Sequence, residues 1–576
     1  MKTGALARAV RINFLIVGIL WSTGGPAAQD LPQEMGADID KVFAQFDKPG
    51  SPGCALAVYR DGVIAYAKGY GESSLEHRVR ITPRTVHDIG STSKQFTAFA
   101  VLLLERDGKL SLDDDVRRYI PELQALEPPV KIRHLMLHTS GIRDYLTLWS
   151  LAGMKTENWT TQDDAIRLVA RQKRANFAAG TEWLYSNSGY LLLAEIVKRV
   201  SGRSLAEFAA ERIFGPLGMS RTFYLEDHAR VVPDRAVGYV PRRGGGFSIA
   251  MSDFEQTGDG AVQTNVEDLL IWDQNFYRPK VGDAALLEKA RTAGNLNDGK
   301  KLDYAAGLMI GSYRGLPTVR HGGSWAGYRA ELLRFPGNRT SIACLCNLGS
   351  ANPSALADRV ADVVLSSSLQ PRAPQPAPEN RPAVSIPPAR LEALAGYYEP
   401  VRPGAFRRIF VKDGVFRFGM GEGQPLKAVS SNRFVPPAPG LELYFPDGAE
   451  GAAVEMHIIR QGSEPEVLRL LPPPPPQRLE DFEGRFYSEE LDAGWILAVR
   501  DGRLTSRVLN DPPMGFSPLK TDWFLGDNGI VLRFERESGM VKRMFVQAGR
   551  VTNLMFERRQ TGAAANNNRA SVAAVH

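Results

Sequence analysis

Two proline-rich tracts place the strongest constraint on what this chain of 576 residues can fold into. Seven prolines lie in the stretch PRAPQPAPENRPAVSIPP, from position 371 to position 388, and five more follow in a row at positions 472–476. Proline runs favour extended, semi-rigid spacers. They divide the chain into blocks at 29–368, 391–471 and 479–560, with linkers at 369–390 and 472–478. The final stretch, 561–576, has no apolar period and is expected to be a disordered tail.

The second and third blocks resemble two copies of one unit. Five positions recur at an offset of 88 residues: Leu391, Glu392, Gly396, Asp413 and Gly414 match Leu479, Glu480, Gly484, Asp501 and Gly502. Each Asp-Gly pair lies between alternating apolar residues, as in IFVKDGVFRFGM, which is typical of a β-hairpin. Because closing a sheet removes its exposed edges, we predict two small antiparallel β-barrel domains.

The first block combines strand and helix patterns. Strand-like runs occur at both of its ends, in CALAVYRDGVIAYAKGYG and in AELLRFPG and TSIACLCNLG. Between them lie helical stretches such as SKQFTAFAVLLLERDGKL and SGYLLLAEIVKRVSG. This order predicts an α/β domain whose antiparallel sheet is built from both ends of the block, with an inserted helical region.

The N-terminal segment 1–28 has the layout of a secretory signal peptide. Three basic residues and no acidic one precede the apolar run INFLIVGILW and the small residues GGPAA. An uncleaved anchor is the alternative, although ten apolar residues fall short of the roughly 20 that span a membrane. A basic net charge can indicate a nucleic-acid partner, but cleavage lowers the formal net charge from +6 to +3. Half of the basic excess therefore belongs to the segment that is removed. We therefore expect a periplasmic or secreted protein with no stable membrane span after processing and no nucleic-acid partner.

The three cysteines do not form a disulfide framework or a zinc-ligand spacing, and nothing in the sequence calls for a metal or a cofactor. Cys344 and Cys346, two apart in a strand-like run, would face the same side. The preferred interpretation is buried free thiols that pack as small hydrophobes. A bridge from Cys54 to one of the other two is the alternative in an oxidising compartment.

A candidate nucleophile stands at the start of the first long helix. In IGSTSKQF, Ser91 and Lys94 are three residues apart and so share one face of a helix. The helix that follows is apolar on nearly every side, which predicts burial. A hydroxyl at a helix N-terminus beside a buried lysine can pass its proton to that lysine. Alone the motif is weak, because the chain repeats it at Ser517 and Lys520 inside the last predicted barrel.

Two further motifs make the interpretation specific. Tyr185 and Asn187 flank Ser186 just before a predicted helix, and RHGGSWAGY contains His321 and the glycines that precede Ser324. With these three motifs in this order, the chain resembles the serine β-lactamase and penicillin-recognising D,D-peptidase superfamily. The resemblance is strongest to the branch that contains class C enzymes, esterases and D-aminopeptidases. The D-aminopeptidases of this branch carry two lipocalin-like barrels after the catalytic domain. It covers residues 40–365.

The resemblance implies a role for each motif residue. Ser91 would be the acylated nucleophile, and Lys94 and Tyr185 would share the acid and base work. Asn187 would hold Lys94 and the substrate amide. The backbone amides of Ser91 and Ser324 would form the oxyanion hole. Gly323 would let a substrate lie close to its strand, beside His321.

The third motif bears on the substrate. His321 stands where β-lactamases of this family usually carry a lysine, and a histidine at pH 7 is largely neutral. This favours a serine hydrolase that opens amide or ester bonds of small or peptide substrates, D-amino-acid derivatives included. Alternatives are a β-lactamase proper, a D,D-carboxypeptidase, or a non-catalytic protein that binds cell-wall peptides. One departure from the D-aminopeptidases is the stretch after Trp523, which lacks their long insertion into the catalytic cleft.

Overall fold

The protein is described by a computed structural model. The residues described are 31–371, 382–401, 405–437, 440–446, 454–460, 464–509 and 512–559. The predicted signal peptide at 1–28 and the predicted tail at 561–576 lie outside them. Across the described ranges, no helix combines the length and the apolar character needed to span a membrane.

A six-stranded antiparallel sheet forms the centre of the first domain. Its strands lie in the order Met309–Tyr313, Leu316–Trp325, Tyr328–Phe335, Thr340–Cys346, Cys54–Arg60 and Val63–Tyr70. Cys54–Arg60 pairs directly with Thr340–Cys346, so the two ends of the domain meet inside the sheet, as the sequence predicts. Shorter strand pairs lie around it: Glu72–Ser74 with Val79–Arg80, Tyr239–Pro241 with Phe247–Ile249, and Val262–Thr264 with both His87–Asp88 and Phe223–Tyr224.

Both faces of this sheet are covered, because alternate side chains of its strand Cys54–Arg60 enter two different buried clusters. Leu56 and Val58 pack with the helices Gln33–Phe43 and Pro353–Val364. Ala57 and its neighbours on the opposite face pack with the inserted helical region. That region and its surroundings contain the α-helices Lys94–Arg106, Ile132–Met136, Tyr145–Leu151, Gln162–Ala170, Asn187–Ser201, Leu205–Ala209, Gly215–Leu217, Val266–Asn275 and Ala284–Arg291, the 3₁₀ turns Gly90–Ser93, Val116–Arg118 and Pro336–Asn338, and the π-helical turn Ala210–Phe214.

The second domain is a nearly closed barrel, preceded by the helix Pro388–Leu394. Its strands follow the order Gln424–Pro425, Val415–Phe418, Arg407–Lys412, Gly396–Pro400, Glu466–Leu470, Glu455–Arg460, Leu441–Tyr444, Arg433–Val435 and Lys427–Ser430. The two end strands are joined along the chain through Leu426, so the sheet curls almost onto itself.

The third domain, which begins with the 3₁₀ turn Leu479–Phe482, is a closed barrel of eight strands. They are Gly484–Ser488, Ala493–Arg500, Arg503–Val508, Met514–Lys520, Trp523–Gly526, Val531–Glu537, Met540–Ala548 and Val551–Arg559, and the last pairs with the first. The Asp-Gly hairpin of each barrel turns through two residues of positive φ, as at Asp501 (50°) and Gly502 (71°). The fold class predicted from the sequence, an α/β domain followed by two antiparallel barrels, is thereby confirmed.

The last barrel, hereafter the C-terminal barrel, is docked firmly on the first domain. Nε1 of Trp495 donates a hydrogen bond over 2.9 Å to the carbonyl of Leu151. The guanidinium of Arg143, with no exposed surface, forms a 2.7 Å ion pair with Glu490, which is 5% exposed. The interior of this barrel belongs to the same continuous apolar cluster as the helices of the first domain. The two domains therefore share one core.

The cysteines differ from the preferred sequence interpretation of three free thiols. Cys54 lies directly opposite Cys346 on the neighbouring strand and forms a disulfide with it, whereas Cys344 is buried and free. The sulfurs of Cys344 and Cys346 lie 3.8 Å apart, so both do face the same side of the strand. Strand register explains the choice, because it sets the Cα atoms of Cys54 and Cys346 4.0 Å apart. Burial raises the pKa of Cys344, which keeps it an unreactive thiol.

Candidate active site

The three sequence motifs meet in one cleft of about 1040 Å³. Ser91, Tyr185 and His321 line it, and they come from a helix start, from the segment before a second helix and from an edge-side strand of the central sheet. The residues are far apart along the chain. Their convergence depends on the sheet and the helical region packing against each other.

Ser91 and Lys94 lie at the base of this cleft. Ser91 occupies the 3₁₀ turn Gly90–Ser93, which continues directly into the helix Lys94–Arg106. Lys94 is fully buried, and its Nζ donates hydrogen bonds to Oγ of Ser91 (3.1 Å), Oδ1 of Asn187 (2.9 Å) and the carbonyl of Asp259 (2.6 Å). Three acceptors fix the amine at the serine hydroxyl, so a proton can pass between the two groups.

Tyr185 precedes the helix Asn187–Ser201 and lies against the same lysine. The centre of its ring is 4.9 Å from Nζ of Lys94. Its hydroxyl is buried and has no hydrogen-bond partner in the described part of the chain. The start of the helix is held by Asp144, whose Oδ2 accepts a 2.7 Å hydrogen bond from the backbone N–H of Asn187. Tyr185 therefore packs its ring against Lys94 and has a hydroxyl that no described residue engages.

The strand Leu316–Trp325 passes very close to the serine turn. A Cβ at Gly323 would lie 1.8 Å from the carbonyl oxygen of Ile89, so no other residue fits there without displacing the backbone. A Cβ at Gly90, where φ is +49°, would lie 2.7 Å from the backbone nitrogen of Ser324. This contact between two backbones brings the Ser324 amide next to the turn that carries Ser91.

His321 is neutral, and both of its ring nitrogens take part in hydrogen bonds. Burial, with a smaller contribution from the charge of Lys94, lowers the pKa of His321 to about 4. Its Nδ1 lies 2.6 Å from the carbonyl of Gly322 and must carry the proton there, so Nε2 accepts the 3.0 Å hydrogen bond from the hydroxyl of Tyr304. This histidine positions the strand and offers no cation to a substrate.

An acidic residue that the sequence analysis did not single out lines the cleft beside Lys94. The carboxylate of Asp259 accepts hydrogen bonds of 3.2 Å at both oxygens from the hydroxyl of Tyr145. Burial raises the pKa of Asp259 to about 6, and Lys94 opposes the rise. The stretch EQTGDGA around Asp259 has no pattern that distinguishes this carboxylate from a solvated turn.

His138 lies in a turn at positive φ (59°) and packs against the site. Its ring centre is 4.1 Å from that of Tyr185 and 4.7 Å from that of Tyr304. Nδ1 of His138 accepts a 3.1 Å hydrogen bond from the backbone N–H of Ser186. Burial keeps the pKa of His138 well below its usual value, so this ring is neutral.

One residue of the cleft lining, Arg550, comes from the C-terminal barrel, which the sequence did not predict. Arg550, in the turn between the last two strands, places its guanidinium 4.7 Å from the ring centre of Tyr185. The nearest oxygen of Asp144 is 3.6 Å from the guanidinium. The barrel thus reaches the cleft through a turn other than the stretch after Trp523.

Relatives of known name match this chain along much of its length. It is 27% identical to a D-aminopeptidase of Gluconobacter oxydans over 538 residues, which cover 91% of this chain and 98% of that enzyme. It is 31% identical to penicillin-binding protein 4* of Bacillus subtilis over 302 residues, which cover 50% of this chain and 66% of that protein.

A solved structure shares the fold, and a family profile matches the first domain. The octameric penicillin-binding protein homologue of Pyrococcus abyssi superposes with a TM-score of 0.54 and 25% identity, covering 76% of this chain and 99% of that one. The β-lactamase family profile matches residues 39–365, more than half of the chain and all three motifs. The chain belongs to the β-lactamase family and is a hydrolase.

Proposed function

We propose that the protein is a serine hydrolase that cleaves amide bonds of short substrates bearing a free amino group, in the manner of a D-aminopeptidase. The contact between Nζ of Lys94 and Oγ of Ser91, 3.1 Å long and at the base of a large cleft, carries this proposal. The alignment with a D-aminopeptidase over 91% of the chain supports the substrate class.

Acylation begins at the Ser91 hydroxyl. Lys94 takes the hydroxyl proton while Oγ forms a bond to the substrate carbonyl carbon. The carbonyl oxygen becomes an oxyanion, which the backbone amides of Ser91 and Ser324 would stabilise. When the tetrahedral adduct collapses, the bond to the leaving nitrogen breaks and the acyl group remains on Oγ.

The leaving amine needs a proton, and Tyr185 is the candidate donor. Its hydroxyl is uncommitted among the described residues and its ring lies next to Lys94, which can replace the donated proton. In deacylation a water molecule passes a proton to Lys94 and its oxygen attacks the acyl carbon. The bond between the acyl carbon and Oγ then breaks, Ser91 takes the proton from Lys94, and the acid product leaves.

Asp259 is the candidate partner for the amino group of the substrate. Its carboxylate lines the cleft near the reacting serine, and one tyrosine hydroxyl leaves acceptor positions unfilled on both oxygens. An ammonium group bound there would gain a charge-assisted hydrogen bond in a buried setting. The neutral His321 argues against a β-lactamase proper, since its own position on the strand Leu316–Trp325 offers no cation to the carboxylate of a β-lactam.

The disulfide between Cys54 and Cys346 supports an oxidising compartment as the place of action. Together with the expected signal peptide, it leads us to propose a periplasmic or secreted enzyme.

The test is a hydrolysis panel with the purified full chain: D-alanine p-nitroanilide, its N-acetyl derivative, p-nitrophenyl esters and nitrocefin. We expect D-alanine p-nitroanilide to be turned over fastest and Ser91→Ala to abolish all turnover. Intact mass after treatment with a fluorophosphonate should show one adduct in the wild type and none in Ser91→Ala. Fast nitrocefin hydrolysis with inert anilide would contradict the proposal, and an unlabelled wild type would favour a non-catalytic binding protein.

A further inference from the structure

The turn between the last two strands of the C-terminal barrel puts a cation into the cleft of another domain. Arg550 follows Gly549, whose positive φ (49°) turns the chain between Met540–Ala548 and Val551–Arg559. The guanidinium faces the ring of Tyr185 at 4.7 Å. Arg550 is therefore a member of the site even though it lies in a domain without a nucleophile.

The first domain holds this turn in place by its backbone. Nδ2 of Asn176 donates a 2.9 Å hydrogen bond to the carbonyl of Arg550, and Oδ1 of Asn176 accepts from the backbone N–H of Thr552 over 2.8 Å. Arg143 donates to the carbonyls of Thr552 (3.1 Å) and Asn553 (2.9 Å). Because these contacts hold the backbone from the carbonyl of Arg550 to Asn553, the first domain fixes the position of the turn that carries this side chain.

The guanidinium itself is available to a ligand. Its side chain is 40% exposed and donates no hydrogen bond to the residues that the structure describes. It forms an ion pair with Asp144 at 3.6 Å, beyond hydrogen-bond distance, and the carboxylate of Asp144 already accepts hydrogen bonds from the backbone N–H groups of Asn187 (2.7 Å) and Thr147 (3.0 Å). Arg550 thus lines the cleft with guanidinium donors that no described residue accepts.

Most other basic side chains that line the cleft or its base are occupied. Lys94 has three acceptors, and Arg320 forms ion pairs with Glu331 and Asp358. Arg329 donates to two backbone carbonyls. Arg235 is the other basic side chain to compare, and it lies near the carboxylate of Asp88.

We propose that Arg550 forms a subsite for a carboxylate of the substrate, so that the preferred substrates are short peptides with a free terminal carboxylate. The inference rests on the proposed function and narrows its substrate class. An arginine fork matches the two oxygens of a carboxylate, and such bidentate pairs are strong and directional. The subsite supplies from the C-terminal barrel the cation that the neutral His321 does not provide.

The experiment compares D-alanyl-D-alanine with its C-terminal amide, which has the same scissile bond but no carboxylate. We expect the wild type to prefer the free acid, and Arg550→Ala to lower kcat/KM for the acid by roughly tenfold or more, through KM, while the amide is unchanged. Arg550→Lys should retain part of the preference. Arg507→Ala, on the exposed surface of the same barrel, is the matched control and should leave both substrates unchanged.

Binding separates this inference from the proposed function. Calorimetric titration of Ser91→Ala with the acid and the amide needs no turnover, and we expect the acid to bind at least about tenfold tighter unless Arg550 is also replaced. Equal binding of acid and amide, an equal loss for both substrates in Arg550→Ala, or loss of the preference in Arg235→Ala instead would overturn the subsite. Failure of the wild type to hydrolyse either substrate, with acid-selective binding intact, would overturn the proposed function alone.

Discussion

The amine of Lys94 lies 3.1 Å from the hydroxyl of Ser91 and has no exposed surface. Ser91 lines the cleft, so a buried amine contacts a hydroxyl that is accessible from the cleft. Two other acceptors fix the amine in place, which limits its freedom to leave the serine.

Lys94→Arg should preserve a positive charge but remove the group that accepts the proton of Ser91. A guanidinium does not lose its proton in a protein, so we expect kcat for D-alanine p-nitroanilide to fall by roughly 10²–10⁴-fold. The second Ser-x-x-Lys of the chain provides the control. Ser517→Ala, on the barrel strand Met514–Lys520, should keep full activity. Equal losses in the two variants would contradict the assignment.

The pH dependence should identify Asp259. Since burial raises its pKa to about 6, the carboxylate ionises as the pH rises through 6, and turnover of a substrate with a free amine should rise with it. His321, with a pKa of about 4, does not titrate in this window. Asp259→Asn should remove this rise of turnover with pH. It should also remove the preference for D-alanine p-nitroanilide over its N-acetyl form.

Asp88 provides the comparison for that measurement. It also lines the cleft, and burial raises its pKa to about 6. Its carboxylate is occupied by the backbone N–H of Gly90 and by Gln263, so we expect Asp88→Asn to retain the amine preference. If Asp88→Asn and not Asp259→Asn lost the preference, the ammonium site would be misassigned.

The ion pair of Arg143 and Glu490 should dominate the docking of the C-terminal barrel. Removing one partner of a buried ion pair leaves the other charge buried and uncompensated. This typically lowers the free energy of unfolding by about 3–5 kcal/mol. We expect Glu490→Ala to lower the free energy of unfolding by that amount, and Arg143→Met with Glu490→Met to cost less than either single change. Chemical denaturation of the single and double variants measures these changes in the free energy of unfolding. The exposed pair Lys173–Glu489 is the control, and its loss should cost less than about 1 kcal/mol.

Thiol labelling should distinguish the three cysteines. Cys344 is buried with a raised pKa, and the other two are joined, so the native protein should take up no iodoacetamide. Denaturation without reductant should expose one thiol, and reduction should expose three. Reduction should also lower stability by roughly 2–4 kcal/mol, the usual contribution of a disulfide. Three labels without reductant would rule out the bridge.

Much of this architecture could be predicted from the sequence because its signals are local. Alternating apolar residues mark the strands at both ends of the first domain, and Asp-Gly turns mark the barrel hairpins. The residues of the three motifs, from Ser91 to Ser324, also lie together at one cleft. Each motif lies at the start of a helix or on a strand beside the cleft.

The remaining features depend on distant pairing. Cys344 and Cys346 are equivalent as sequence, and only the register of their strand places Cys346 opposite Cys54. Asp259 stands in a loop without periodicity. Arg550 looks like an ordinary hairpin arginine until the barrel is placed against Asn176 and Arg143.

The docked hairpin also determines when the site becomes complete. During synthesis Ser91, Lys94 and Tyr185 emerge early. The turn that carries Arg550 reaches the cleft only after the strand Val551–Arg559 has paired within its barrel and the barrel has docked on the first domain. Domains fold largely in the order in which they are made, so a partly made chain would have its nucleophile in an unfinished cleft. Selectivity would be the last property this protein acquires as it folds.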